Sequence, residues 1–301
     1  MELWIPITIF AAFMQNIRSM LQKHLKGRIG TLGATFARFA WAAPLALLYV
    51  TGLVHFGDYS LPDVNSDFAM FVMVGGLAQI LATTLLIYLF SFRNFAVGTT
   101  FSKTETVQTA VFGVIVLGET VSTGAVFGII ISLFGVVMIA LTRLTLNLRD
   151  IARQCLEPTS LIGIGSGALF GVSAIGFRAA SLSLESGDFV IRAAVTLACA
   201  TAFQSIIMAG YMLYRDPGQI KAVLVHWRIT GIVGLAGMLG SVGWFTAMTL
   251  QNAAYVRALG QVELLFTFIV SWFVFREKIA KSELAGIALV TIGILFLVLL
   301  R

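Results

Sequence analysis

Two glutamates, Glu105 and Glu263, stand 158 residues apart in stretches that are otherwise apolar, and each is followed four residues later by a threonine, Thr109 and Thr267. A spacing of i to i+4 puts each acid and its threonine on one helical face. A carboxylate in so apolar a setting has two readings. It pairs with a cation and holds the structure, or it handles a substrate group or a proton. Lys103 lies two residues before Glu105, which on a helix turns it about 200° away, so each needs a separate partner. Arg38 and Arg192 are a second pair of candidates; each either lines a pathway or reaches to the lipid headgroups. Arg18 and Arg178 are further cations, closer to the ends of their apolar segments. Trp41 and Trp244 fall nearer mid-segment and read as cavity wall or as aromatic belt. The chain has no Gly-rich GK[ST] loop, no metal-ligand cluster and no nucleophile elbow, so neither ATP hydrolysis nor a bound metal or other cofactor is expected.

These residues are positioned by a lipid-facing chain. Of 301 residues, 58% are hydrophobic and 11% charged, against about 25% charged in a soluble domain, and the mean hydropathy is +0.95. That much apolar surface needs lipid as solvent. Spans of roughly 20 apolar residues are expected at 3–22, 31–54, 68–91, 96–117, 121–142, 160–181, 189–214, 229–250, 256–275 and 282–300. The longer connections are 55–67, 143–159 and 215–228, the second with a short interfacial helix ending before Pro158. Cations gather in alternate connections: Lys23, Lys26 and Arg28; Arg93; Arg143, Arg149 and Arg153; Arg215, Lys221 and Arg228; Arg276, Lys278 and Lys281. The positive-inside rule puts these in the cytoplasm and both termini outside. The net charge of +6 comes from these loops and does not indicate nucleic acid. Cys155 and Cys199 are expected to be free thiols.

Shifted by 158 residues, the sequence matches itself without a gap. Gly76-Leu77-Ala78 falls on Gly234-Leu235-Ala236, Asn94 on Asn252, Glu105 on Glu263, Glu119 on Glu277, Gly128 on Gly286 and Gly135 on Gly293. Lys103 falls on Gln261 and is not repeated. The expected fold is therefore all-α and integral to the membrane, with ten transmembrane helices as two inverted five-helix repeats, 1–150 and 151–301. An odd number of spans per repeat forces the halves into opposite orientations. Glu119 and Glu277 sit in tight turns ahead of a helix, where an acid suits the positive end of its dipole. The four glycines, seven residues apart in each half, are expected to allow close packing of spans 5 and 10.

The tandem module, Glu105 through "VIVLGE" to Glu119 and Glu263 through "WFVFRE" to Glu277, each followed by its two glycines, resembles the EamA-type ten-span form of the drug/metabolite transporter superfamily. The "ARF" at Arg38 fits that pattern too. Thr106 and Leu264 stand where such modules often carry proline, and the first span has Gln15 where small four-span relatives carry a coupling glutamate. The resemblance implies a secondary active carrier working by alternating access in the cell inner membrane. It would export small polar or amphipathic metabolites, amino acids or related compounds, with proton or ion coupling. Uptake, or efflux of drugs and organic cations, remains open on this fold. A membrane-embedded enzyme and a channel are the readings from other classes. The expected partners are the small-molecule substrate and the bilayer, with the protein a monomer or weak homodimer. Substrate contacts are expected from Arg38, Trp41, Lys103, Glu105, Thr109, Arg192, Trp244, Glu263 and Thr267.

Overall fold

The computed structural model describes residues 2–92, 100–144, 157–273 and 280–300, and among these every regular element is a helix. In chain order they are α1 (Trp4–Phe56), α2 (Ser66–Leu89), α3 (Glu105–Leu117), α4 (Thr123–Leu144), α5 (Pro158–Ser183), α6 (Phe189–Arg215), α7 (Pro217–Val225), α8 (Trp227–Leu250), α9 (Ala253–Leu259), α10 (Glu263–Phe273) and α11 (Lys281–Leu299). Among the described residues, six stretches are long and apolar enough to cross a membrane: Arg28–Phe56, which is the second arm of α1, and α2, α5, α6, α8 and α11. α4 is apolar over Thr123–Ile139.

The first two apolar segments, expected at 3–22 and 31–54, are two helices that meet at Gly30, whose φ of 71° and ψ of 177° belong to a region that only glycine enters freely; Gln22 Nε2 donates to Ala34 O at 3.0 Å across the bend. The connection at 215–228 contains a helix, α7, started by Pro217 at a position where its missing N–H costs nothing. The interfacial helix expected before Pro158, together with Cys155, Arg93, Arg276 and Glu277, lies outside the described residues. Cys199 is a free thiol.

The other termini follow from local chemistry. Asn65 accepts from Phe68 N at 2.8 Å to cap α2, and its amide donates to Ser183 O at 2.7 Å, tying the start of α2 to the end of α5. Asp188 caps α6 and Asn252 caps α9. α3 closes at Gly118 with φ 64° and ψ 21°, a left-handed cap.

The glycines expected to bring two helices together do so, and their partners are each other. α4 lies along α11, with Gly128 facing Gly293 and Gly135 facing Gly286. A Cβ on Gly135 would stand 2.6 Å from the Gly286 carbonyl oxygen and 2.8 Å from the Val290 nitrogen. No hydrophobic force drives two helices together in lipid, so backbone-to-backbone packing of this kind supplies the attraction. Elsewhere α2 packs on α5, and α1 packs on α8. Gly176 of α5 comes so near Gly75 of α2 that a Cβ would meet its Cα at 3.0 Å.

Replacing Gly135 by leucine is therefore expected to destabilise the protein by about 1–3 kcal/mol through overpacking. Gly165 of α5 has nothing within 4 Å of its Cβ position, so Gly165→Ala should leave stability unchanged or raise it. Thermal unfolding of the purified protein in detergent checks both.

Candidate functional site

The two glutamates mark breaks in their helices. The chain is helical at 100–102, turns at Lys103-Thr104, and becomes helical again from Glu105. In the second half, α9 ends at Leu259, a 3-10 turn covers Gly260–Val262, and α10 begins at Glu263. Irregular backbone at membrane depth is tolerated only where it is buried in protein or lines a wet cavity. The first condition holds at both breaks. A Cβ on Gly167 of α5 would stand 2.8 Å from Ser102 O and 3.2 Å from Glu105 N, so the first break is buried against a glycine. The indole of Trp244 covers the second break at Gly260.

Between the breaks lies a cavity of about 350 Å³. Its polar wall carries Gln15, Asn16 and Arg18 of α1, Lys103, Glu105, Arg257 of α9, and Glu263 and Thr267 of α10. Leu86, Phe90 and Phe170 form much of the apolar wall, and Met20 and Lys23 lie toward the mouth.

The charges are paired crosswise between the halves of the chain. Lys103 pairs with Glu263, and Arg257 Nη1 lies 2.9 Å from Glu105 Oε1. Gln15 Nε2 donates to Glu263 Oε2 at 3.0 Å, and the Asn16 amide donates to Thr267 Oγ1 at 2.7 Å. The Thr267 hydroxyl donates back to Glu263 O at 3.0 Å, a bond that threonine makes readily one turn along a helix. Gln261, at the repeat position of Lys103, donates to Thr106 Oγ1 at 2.7 Å and crosses the halves again. Arg257 also lies over the Trp244 ring, 4.8 Å from its centroid, a cation–π contact strengthened by exclusion of water.

Arg18 is 5% exposed and its Nε has no hydrogen-bond partner. Arg257 Nε likewise has none. Arg18 and Arg38 both rest on Gly237 of α8, where a Cβ would stand 3.4 Å from Arg18 Cδ and 3.3 Å from Arg38 Cγ.

At the other end of the bundle a second cavity of about 510 Å³ is lined by Glu2, Glu119, Thr120, Arg178, Gln251, Asn252 and Tyr255. There Arg178 pairs with Glu119 and donates from Nη1 to the carbonyls of Met248 and, at 2.7 Å, Gln251. Glu119 was expected to act on a helix dipole; its partner is this guanidinium.

Of the sequence candidates, Lys103, Glu105, Glu263 and Thr267 meet in the first cavity, and Trp244 backs it. Lys103 and Glu105 pair with other partners, although Lys103 lies in the break and not on the helix that Glu105 begins. Four candidates stand elsewhere. Arg38 is buried behind the cavity and donates to Thr83 Oγ1 at 3.0 Å. Trp41 packs on Gly234 and donates to Thr230 Oγ1 at 3.0 Å. Thr109 is fully buried and faces Gly171 of α5. Arg192 lies in the first turn of α6 and lines neither cavity. Sequence reasoning did not place Arg18, Arg257, Gln15 and Asn16 in the site. For Arg257 a signal existed: an arginine inside an apolar segment, six residues before a glutamate that itself needs a partner.

A family model described as the EamA-like transporter family matches the chain twice, over residues 2–141 and 158–299. The chain belongs to this family. It is a multi-pass membrane protein and a transporter of the drug/metabolite type, not a member of an enzyme family. A search of curated proteins returned no match. Among solved structures, a crystal structure described only as that of a protein is similar over 99% of this chain and 97% of its own, with a TM-score of 0.71 at 13% identity. That similarity establishes a shared fold.

Because Arg257 and Glu105 are partners in a water-poor site, their losses should not add. Arg257→Ala and Glu105→Ala are each expected to lower the unfolding temperature, and the double variant to lose less than the sum. A coupling of about 1–3 kcal/mol, read from a double-mutant cycle, is the expected result.

Proposed function

We propose that this EamA-family protein is a secondary active exporter of small polar or amphipathic metabolites, amino acids or related compounds, working by alternating access in the inner membrane. It crosses the membrane ten times as two inverted five-span repeats, with both termini outside.

The crossed pairing of Lys103 with Glu263 and of Arg257 with Glu105 is the observation that carries this reading. Each half contributes one glutamate and one cation. Each glutamate begins a half-helix beside a break, the arrangement in which transporters built from inverted repeats hold substrates and coupling ions. Helix contacts agree with a twofold relation. α2 packs on α5, and the counterpart of α2 by the 158-residue shift, α8, packs on α1, the counterpart of α5. α4 and its own counterpart α11 pack on each other.

Lys23, exposed and lining the cavity, marks an end that is cytoplasmic by charge bias. The Glu119–Arg178 pair ties the halves at the opposite end. A substrate would enter from the Lys23 side, and export would require that tie to part. The two central glutamates are suited to receive an ammonium group or a coupling proton once their cations are drawn to the substrate.

The test is counterflow exchange in proteoliposomes with an amino-acid library. Saturable, trans-stimulated exchange is expected, and the Glu105→Gln, Glu263→Gln double variant should slow it roughly tenfold or more and flatten its pH dependence. Unchanged rate and pH dependence would sink the role given to the glutamates; uncoupled flux that does not saturate would mark a channel.

A further inference from the structure

The cavity has more cations than the two ion pairs consume. Lys103 and Arg257 are each matched by a glutamate, but Arg18 lines the same cavity, is 5% exposed and pairs with no carboxylate among the described residues. Its Nε–H has no acceptor, and neither does the Nε–H of Arg257, whose side chain is 9% exposed. Arg38, behind Arg18 on Gly237, adds a second buried positive charge held by a hydroxyl, not by an acid. A buried guanidinium without an anion is costly, and the cost falls when a mobile anion arrives. The half-helix N-termini at Glu105 and Glu263 add partial positive charge to the same space.

The rest of the wall limits the anion. One unmatched guanidinium in the cavity calls for one negative charge. Met20, Leu86, Phe90 and Phe170 present an apolar surface beside it. A volume of about 350 Å³ lies at the small end of the range for ligand pockets and suits a small organic anion.

We infer that the cavity binds an amphipathic organic monocarboxylate, its carboxylate received by Arg18 with Arg257 as second donor and its apolar body lying on Phe90 and Phe170. The inference rests on the transporter reading above and narrows it. The substrate's anionic end is the part the site recognises first, and any ammonium group is secondary. Lys103 and Glu263 keep each other neutral while the anion sits on the arginines.

Thermal unfolding of the full-length protein in detergent tests this with a matched set of probes: 4-methylpentanoate, 3-methylbutylamine and sodium chloride, at equal ionic strength. The carboxylate should raise the unfolding temperature saturably, while the amine and chloride should not. Arg18→Gln should weaken carboxylate binding at least tenfold, and Arg18→Lys should weaken it less, because the charge remains but the planar donor edge is lost. Three results overturn the inference: stabilisation by the amine in place of the carboxylate; equal stabilisation by chloride, which would mark an inorganic-anion site; and undiminished carboxylate binding in Arg18→Gln. If Arg18→Gln does not purify as folded protein, the probe series on the unaltered protein and on Arg18→Lys still decides. Carboxylate binding without counterflow in proteoliposomes would overturn the transport reading alone. Counterflow that is indifferent to Arg18→Gln would overturn the Arg18 site alone.

Discussion

The centre of this protein is held by two ion pairs that cross between its halves. In a low-dielectric interior, a glutamate and a cation from different halves attract strongly once desolvated, and either one left alone is expensive. The crossed arrangement, Lys103 to Glu263 and Arg257 to Glu105, makes each half the counter-ion of the other. Neither half could keep its own glutamate charged in the membrane without its sibling. The pairing is symmetric in effect but not in sequence, because Gln261 occupies the repeat position of Lys103 and bonds to Thr106. One cation has moved along the chain while the balance of charge between the halves has stayed.

The backbone breaks follow from the same constraint. A continuous helix would satisfy its own N–H groups and leave the glutamates on a smooth wall. Breaking it just before Glu105 and just before Glu263 exposes a first turn to the cavity, and this is permissible only where packing covers the irregular backbone. Gly167 and the Trp244 ring provide that cover. The glycines that bring α4 onto α11 answer a different need, since they join the halves by backbone contact. Charge holds the interior and close backbone packing holds the periphery, because lipid weakens the hydrophobic force that would do both in water.

What could be read in the sequence was what repeats or what clashes with its setting. The glycine pairs and the glutamate–threonine pairs recur in register, and the close packing of α4 on α11 followed from the glycines. The helix α7 was hidden because its nine residues are too short and too polar to stand out from a loop. The two arms of α1 were legible as separate helices because Lys23, Lys26 and Arg28 interrupt the apolar run just before Gly30, where the chain bends. The helix breaks carry no proline; Gly260 is the only local hint at the second, and nothing in Lys103-Thr104 announces the first. Thr109 and Thr267 share a register, yet one is sealed against α5 and the other faces the cavity. Sequence symmetry therefore does not predict the neighbour, because a repeated residue meets a different surface in each half.

That asymmetry bears on how the molecule would move. The crossed pairs sit where the halves meet, near any pivot between them, so a rocking motion changes their separation least. The Glu119–Arg178 pair sits at one end, where the same rotation produces the largest displacement. Arg178 also holds the carbonyls of Met248 and Gln251, which are otherwise orphaned at the end of α8. Parting this tie would strand a carboxylate, a guanidinium and two carbonyls together, unless water enters as they separate. The second cavity already lies beside three of them, at Glu119, Arg178 and Gln251. Water admitted there would solvate them if they part, which would lower the cost of opening that end.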